Sequence, residues 1–407
     1  MTLMRIAIAA LLLAPAASFA GAYAIPNENA RDLGLSQATV AAQTGPEATY
    51  QNAAALAGQQ GLSISASLEM LYNRTDWSDG TLGKASLRPK ANFPPALAVG
   101  WGNKLPNGMP FGLGVAFLVP GGGSLEWPTG WAGSGRIQTV DQKVYAVQAG
   151  GAIQPLPFLK LGATLLYYRV TESLGQQLNF IGTTGAASLG LGGNALTYGL
   201  SGEFHIPRVP LTIGIDYRHQ APITLTGAAH FDNVPANFTP VLQDQGVTEH
   251  VTIPNQLFVG AAYDVIPDLK VMGAWTLERW RAYTSDTYVG DKGLVIGVPR
   301  NYHNAWVYRL AAEYQHVAAL PLTLRIGGQR SISNQPTDTV SPTLTDGNSW
   351  AVSVGAGFEL IRGLRADIGY QYVMFDTVTA TGGEAFPGSY NTHVHLLSVG
   401  ATWRPAF

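Results

Sequence analysis

Leu364–Phe375 reads LRADIGYQYVMF, and its residues separate into two rows when every second one is taken. Leu364, Ala366, Ile368, Tyr370, Tyr372 and Met374 form an apolar row, opposed by Arg365, Asp367, Gly369, Gln371, Val373 and Phe375. A two-residue period specifies a strand with one apolar and one mostly polar face. In a soluble sheet the apolar row turns toward the protein's own interior. In a membrane barrel it turns toward lipid, and the polar row lines the lumen.

The alternation recurs from about residue 60 onward. Leu62, Ile64, Ala66, Leu68 and Met70 oppose Ser63, Ser65, Ser67 and Glu69, and Leu397, Val399, Ala401 and Trp403 oppose Ser398, Thr402 and Arg404. Fourteen strands are predicted, near 62–72, 86–104, 110–119, 139–154, 158–170, 196–206, 210–219, 250–265, 268–280, 305–316, 321–330, 350–361, 364–375 and 393–404. Pro89, Pro94 and Pro95 interrupt the second, since proline cannot donate to a ladder. Short connections (KLPNGM, QPLP, IPRVP, VIPD, VAALP, IRG) alternate with long ones near 73–85, 120–138, 171–195, 220–249, 281–304, 331–349 and 376–392. An up-and-down antiparallel barrel places all the short turns at one rim and all the long loops at the other, as bacterial outer-membrane barrels do.

The parity of charge decides between the two orientations. Glu69, Glu203, Asp216, Arg218, Lys270, Glu278, Arg309, Glu313, Arg325, Glu359, Arg365 and Asp367 all sit on the less apolar face of their strands. Arg169, Arg279 and Arg330 share parity with apolar rows only at strand ends. A lipid-facing charge costs about 2–4 kcal/mol at mid-membrane and little near the interface, so this distribution is that of a barrel. Closure follows, because an open edge in lipid leaves backbone groups unpaired. Tyr72, Trp101, Tyr167, Tyr263, Trp275, Tyr370 and Trp403 lie toward strand ends, where interfacial girdles belong.

The totals agree. The chain has 407 residues, 12% of them charged, a net charge of −2, 48 glycines and no cysteine. That balance gives no footprint for nucleic acid. The lack of cysteine excludes disulfides, thiol catalysis and thiolate metal sites. The segment MTLMR–IAIAALLLA–PAASFA has the three-part layout of a secretory signal peptide, 1–20, with cleavage after Ala20 preferred over Ala22. The expected organisation is a signal peptide 1–20, an N-terminal segment 21–60 and a barrel 61–407 exported to the outer membrane.

The long loops are apolar in places. TESLGQQLNFIGTTGAASLGLGG (171–193) carries Leu174, Leu178, Phe180 and Ile181, with Leu174 and Leu178 spaced as on one face of a short helix. HFDNVPANFTPVLQDQG (230–246) carries Phe231 and Phe238. Exposed apolar patches bind something, so these six residues are the candidate substrate groove. Self-packing of the loops and contact with lipopolysaccharide are the alternatives. Each buried methylene gains about 0.8 kcal/mol, so about a dozen supply roughly 10 kcal/mol before binding costs. Arg88, Lys90, Arg136, Arg309 and Arg325 are candidate partners for an acidic ligand, against the simpler reading that they pair with lumenal carboxylates.

No phosphate loop, Gly-x-Ser-x-Gly or His-Glu-x-x-His occurs. His393 and His395 share the outward face of the last strand, where an interfacial role outweighs a catalytic or metal-binding one. The chain is therefore read as a non-enzyme that needs no cofactor and no metal.

The chain resembles the FadL family of outer-membrane transporters for long-chain fatty acids and other hydrophobic molecules. GAYAIPNENARDLGLSQATVAAQTGPEATYQNAAALAG (21–58) is similar to that family's N-terminal plug. TIPNQLFVGAAYDVIPDLKVMGAWTLERW (252–280), WAVSVGAGFELIRGLRADIGYQYVMF and GSYNTHVHLLSVGATWRP resemble its hairpin and last strands. The resemblance implies a fourteen-stranded barrel with residues 21–60 folded inside as a hatch, and passive uptake, with long-chain fatty acids as the foremost substrate. The family's Asn-Pro-Ala motif reads Asn52-Ala53-Ala54, without its proline. These three are the candidate gating residues. The family releases its cargo through a gap near the third strand, where VPGGGS (119–124) places Pro120, Gly121 and Gly122. Phe407 resembles the terminal aromatic read by the barrel-assembly machinery, despite the unusual Pro405. The competing readings are a general diffusion porin for small solutes and a membrane-barrel hydrolase.

Overall fold

The computed structural model describes residues 29–405 apart from 89, 344, 383 and 384. The signal peptide, its cleavage site and Phe407 lie outside the described residues.

Fourteen antiparallel strands form the wall. They are β1 (Gly61–Asp79), β2 (Pro95–Lys104), β3 (Pro110–Glu126), β4 (Thr139–Leu156), β5 (Leu159–Phe180), β6 (Thr183–His205) and β7 (Leu211–Arg218). The ring continues with β8 (Gln256–Ile266), β9 (Leu269–Glu278), β10 (Ala305–Tyr314), β11 (Leu322–Ile332), β12 (Ser349–Ile361), β13 (Leu364–Phe375) and β14 (Ser389–Trp403). Each pairs with its neighbour, and β14 returns to β1 in a ladder from Ile64↔Trp403 to Ser78↔Ser389, which closes the barrel. The six short connections all lie at one rim, as the sequence predicts.

The wall is inverted relative to a soluble protein. Leu310 and Ile326 on the outer face are 66% and 61% exposed, whereas Glu313 and Arg325, on the same two strands, are 3% and 4% exposed. No aqueous sheet arranges itself this way, because the stable burial of apolar area would be forfeited. Lipid supplies the missing contact. Trp101, Tyr167, Tyr263 and Trp403 stand on the outer face toward its margins. His395 bonds Tyr370 Oη through Nδ1 at 2.9 Å and His393 bonds Tyr372 Oη at 3.1 Å, so both histidines belong to this outward aromatic belt.

Three sequence expectations are corrected above the barrel. The stretch 171–195 is not a loop with a short helix. It continues β5 and β6 into a hairpin paired from Leu159↔Phe204 to Phe180↔Thr183, far beyond the lipid-facing part. Leu174 and Leu178 share a face because residues four apart in a strand also do. The stretches 220–249 and 281–304 contain strands Ala221–Asp232, Ser285–Gly290 and Val295–Pro299, and the predicted strand 250–265 is two, Gln245–Ile253 and Gln256–Ile266. Pro254 and Asn255 form the break between them. The segment 86–104 is divided into Gly83–Ser86, Ala91–Asn92 and β2, in keeping with the prolines that interrupt it.

Residues 29–59 pack against the inward faces of the strands. Helix Ala30–Gly34 lies on β12, β13 and β14, and the 3-10 turn Ala53–Gly58 lies on β3, β4 and β5. The fit depends on missing side chains: a Cβ on Gly112 would strike the carbonyl of Leu56, and one on Gly214 would strike that of Val40. An ion ladder fastens the other end. Arg31 Nε reaches Glu313 at 3.0 Å, Arg325 bridges Glu313 at 2.8 Å and Asp367 at 2.7 Å, and Arg365 meets Asp367 at 3.1 Å.

Candidate functional site

Asn52 organises the lumenal segment locally. Its Nδ2 donates to the carbonyl of Val40 at 2.6 Å, and its Oδ1 accepts from the N–H of Ala54 at 3.2 Å, capping the 3-10 turn. Ala54 N–H also donates to Ser201 Oγ on β6 at 2.9 Å. Thr39, Gln43 and Gln51 share hydrogen bonds beside it. Asn52, Ala53 and Ala54 are thus wholly buried between the turn and the wall.

Above the barrel, four of the six predicted groove residues meet. Leu178, Phe180, Phe231 and Phe238 pack in one apolar cluster with Leu242 and Leu294. The rings of Phe180 and Phe238 are 5.2 Å apart at a tilt of 31°. Leu174 faces a second cluster beside Trp127, Trp131 and Ile137. Ile181 does not join either: it sits at the hairpin tip, fully exposed. Between the clusters lies an outer pocket of about 40 Å³, lined by Leu174, Leu189, Phe231, Val247, Leu294 and Ile296. None of its lining residues is charged. Val247, Leu294 and Ile296 were not singled out from the sequence; alternation in QGVTEHVTI and VIGVP was the available signal for Val247 and Ile296, whereas Leu294 precedes the second strand.

Deeper in the lumen an aromatic stack separates this pocket from a second one. Trp127 and Trp131 stack at 4.3 Å, and Trp77 meets Trp131 edge-on at 5.3 Å. The connection from β11 to β12 folds inward beneath them, and Trp127 Nε1 donates to Pro342 O at 2.9 Å. The inner pocket is about 110 Å³. Leu71, Val307, Val373, Phe375 and Leu396 supply its apolar wall, and Glu278, Arg309 and Asp346 its charges. Its floor reaches the lumenal segment through Gln371, which contacts Ser36 at 3.4 Å and Ser353 at 2.8 Å. Burial raises the Asp346 carboxyl to about 6, partly opposed by hydrogen bonds from Ser333 and the Gly347 N–H.

The wall is weakest beside β3. The β2–β3 ladder ends at Leu97↔Phe117, and above it, among the described residues, β3 meets that side again only at the bridge Arg88↔Glu126. On the other side its register with β4 slips between Leu118 and Gly121, a bulge at Val119 and Pro120. Pro120 therefore lies in the slip, and Gly121 and Gly122 pair with β4 but have no ladder partner on the β2 side. A small cavity lined by Leu87 and Leu125 abuts this place and shares Asn73, Phe375 and Val394 with the inner pocket. Arg309 lines the inner pocket, and three other candidate cations are engaged in ion pairs. Arg88 and Lys90 share Glu126, and Arg325 holds Glu313 and Asp367.

A closed fourteen-stranded barrel with an apolar exterior and an occupied lumen is a bacterial outer-membrane transport barrel. The chain belongs to the outer membrane protein transport protein family (OMPP1/FadL/TodX), whose pattern matches residues 11–404. No curated protein matches it. Among solved structures it is similar to a Pseudomonas aeruginosa FadL homologue, at 15% identity and a TM-score of 0.83 over 94% of this chain and 99% of that one. The CymD monoaromatic hydrocarbon channel aligns at 16% identity and 0.72, over 95% of this chain and 100% of its own. The Ralstonia pickettii toluene transporter TbuX aligns at 17% and 0.68, over 91% and 98%. The protein is thus a FadL-family channel of the outer membrane for hydrophobic compounds.

Proposed function

We propose that the protein takes up hydrophobic molecules passively, by capture in the apolar region beneath the β5–β6 hairpin, transfer to the inner pocket and release past the buried N-terminal segment, which acts as a hatch. The observation that carries this reading is the succession of an uncharged outer pocket, an aromatic stack and a mixed inner pocket along one lumen. Both cavities are smaller than the cavity of about 150 Å³ that holds benzene in an engineered protein, so a cargo molecule displaces side chains as it enters. Release runs sideways beside Pro120, Gly121 and Gly122, where β3 has no ladder partner on its β2 side. The names of the structural relatives include a FadL homologue and a monoaromatic hydrocarbon channel, and both fatty acids and aromatic hydrocarbons suit an apolar groove. No catalytic step is part of this reading. The diffusion-porin alternative requires an open lumen, which residues 29–59 occupy.

The test is uptake by cells expressing Phe180→Asp/Phe238→Asp. Each substitution places a carboxylate in the ring pair, where burying it costs several kcal/mol. Uptake of toluene and of oleate should fall at least tenfold while the barrel stays heat-resistant in gels. Unchanged uptake of both would remove the groove from the route.

A further inference from the structure

We propose that the inner pocket selects uncharged apolar molecules against carboxylates, with Glu278 and Asp346 as its specificity-determining residues. This rests on the reading of that pocket as part of the transport route.

Two carboxylates and one guanidinium line the pocket. Glu278 feels the attraction of Arg309 and Arg218, so the pocket's excess charge falls on Asp346. Glu278 accepts from Gln256 Nε2 at 3.2 Å and from Trp280 Nε1 at 2.8 Å. Asp346 accepts from Ser333 Oγ at 2.9 Å and from the Gly347 N–H at 3.0 Å. All four donors are neutral and hold the acids in place. Arg309 donates to Thr276, a diagonal neighbour across the ladder, and its own ladder partner is Ala274. The pocket therefore carries one negative charge in excess.

The rest of the route offers no compensation. The outer pocket has no charged lining residue. The lumenal guanidiniums Arg31, Arg325 and Arg365 are bound to Glu313 and Asp367, and Lys160 to Glu203. A carboxylate headgroup entering the inner pocket would be a third anion in a space where water is scarce and like charges repel strongly. A hydrocarbon meets only the walls of Leu71, Val373, Phe375 and Leu396. An alcohol or ester finds neutral partners in Asn73, Ser349 and Gln371. The preferred cargo is thus a neutral hydrocarbon or a weakly polar neutral derivative, and not an ionised fatty acid.

The experiment uses two probes of equal size, 4-butylbenzyl alcohol and 4-butylbenzoate, titrated at pH 7.5 against full-length purified protein in amphipol, with tryptophan fluorescence as the readout. The wild type should bind the alcohol at least tenfold more tightly. Glu278→Gln/Asp346→Asn keeps side-chain volume and hydrogen-bond acceptors and should shrink that ratio to threefold or less; Asp346→Asn alone should shrink it in part. A wild type that binds the benzoate equally or more tightly, or an unchanged ratio in the double variant, overturns charge selection. Val373→Trp fills the cavity and separates the two levels of inference. If it weakens both probes and no charge preference exists, selection fails and the pocket stands. If it weakens neither, or neither probe binds the wild type, the pocket reading fails and selection falls with it.

Discussion

Asn52→Ala removes two hydrogen bonds from the interior of the N-terminal segment at once. Losing the cap on the 3-10 turn costs about 1 kcal/mol. Losing the donor to Val40 strands a buried carbonyl, at about 1–3 kcal/mol. The side chain is wholly buried and its donor contact is 2.6 Å, so water does not stand in for it. The combined weakening is about 2–4 kcal/mol, which multiplies the population of displaced segment by roughly 30 to 700. Asn52→Asp should be worse: it keeps an acceptor for Ala54 but turns a carboxylate toward the Val40 oxygen. The assay is single-channel recording in planar bilayers, where wild-type protein should be nearly silent. Asn52→Ala should open at least 30-fold more often, and Asn52→Asp more often still, with gel heat-resistance unchanged. Opening rates within threefold of wild type in both variants would refute the view that this side chain secures residues 29–59 in the lumen.

Other perturbations reach different parts of the structure. Gly112→Leu should expel the turn around Leu56, at about 1–3 kcal/mol for overpacking, and expose residues 53–58 to protease in an intact barrel. Arg88→Cys/Glu126→Cys should form the chain's one disulfide across the bridge above the gap and block uptake until a reductant is added; unimpeded uptake in the oxidised state would remove the lateral route. Asp346 has a folded pKa of about 6 against an unfolded 3.8, so the native state binds its proton more tightly. Its contribution to the inward-folded connection is full below pH about 4 and is lost as pH rises through 6, a swing of roughly 3 kcal/mol. Hydrogen exchange in residues 333–348 should accordingly be more protected at pH 4.5 than at pH 7.5 after correction for intrinsic rates, and Asp346→Asn should abolish the difference.

The wall was readable because lipid imposes the alternation. Leu310 and Arg309 face opposite ways for an energetic reason that each residue type declares in sequence. The same reason fades above the membrane, where β5 and β6 continue as a hairpin. In 171–180 the inward row is Glu172, Leu174, Gln176, Leu178 and Phe180, mixed in polarity, and the outward row no longer needs to be apolar. A period of two and a helical spacing of four then predict the same pair, Leu174 and Leu178. The apolar character of the groove was legible, but Val247 and Leu294 joined it through pairings between distant strands that no local pattern carries. Glu278 and Asp346 were separated in the same way: one ends a strand, the other sits in a connection, and only the folded lumen sets them on one cavity.

The seam between β1 and β14 has a consequence for biogenesis. Its two halves are the first and last strands of the wall, so the cylinder cannot zip shut until the whole polypeptide has been delivered. Residues 29–59 precede β1 and end up enclosed, pressed against glycines that admit no side chain. They must therefore be tucked in while the sheet is still an open trough, with the final zippering locking them in like a cork. A chain whose leading segment lagged behind would seal empty, and the smooth mouths of the finished tube would then be its only way back in.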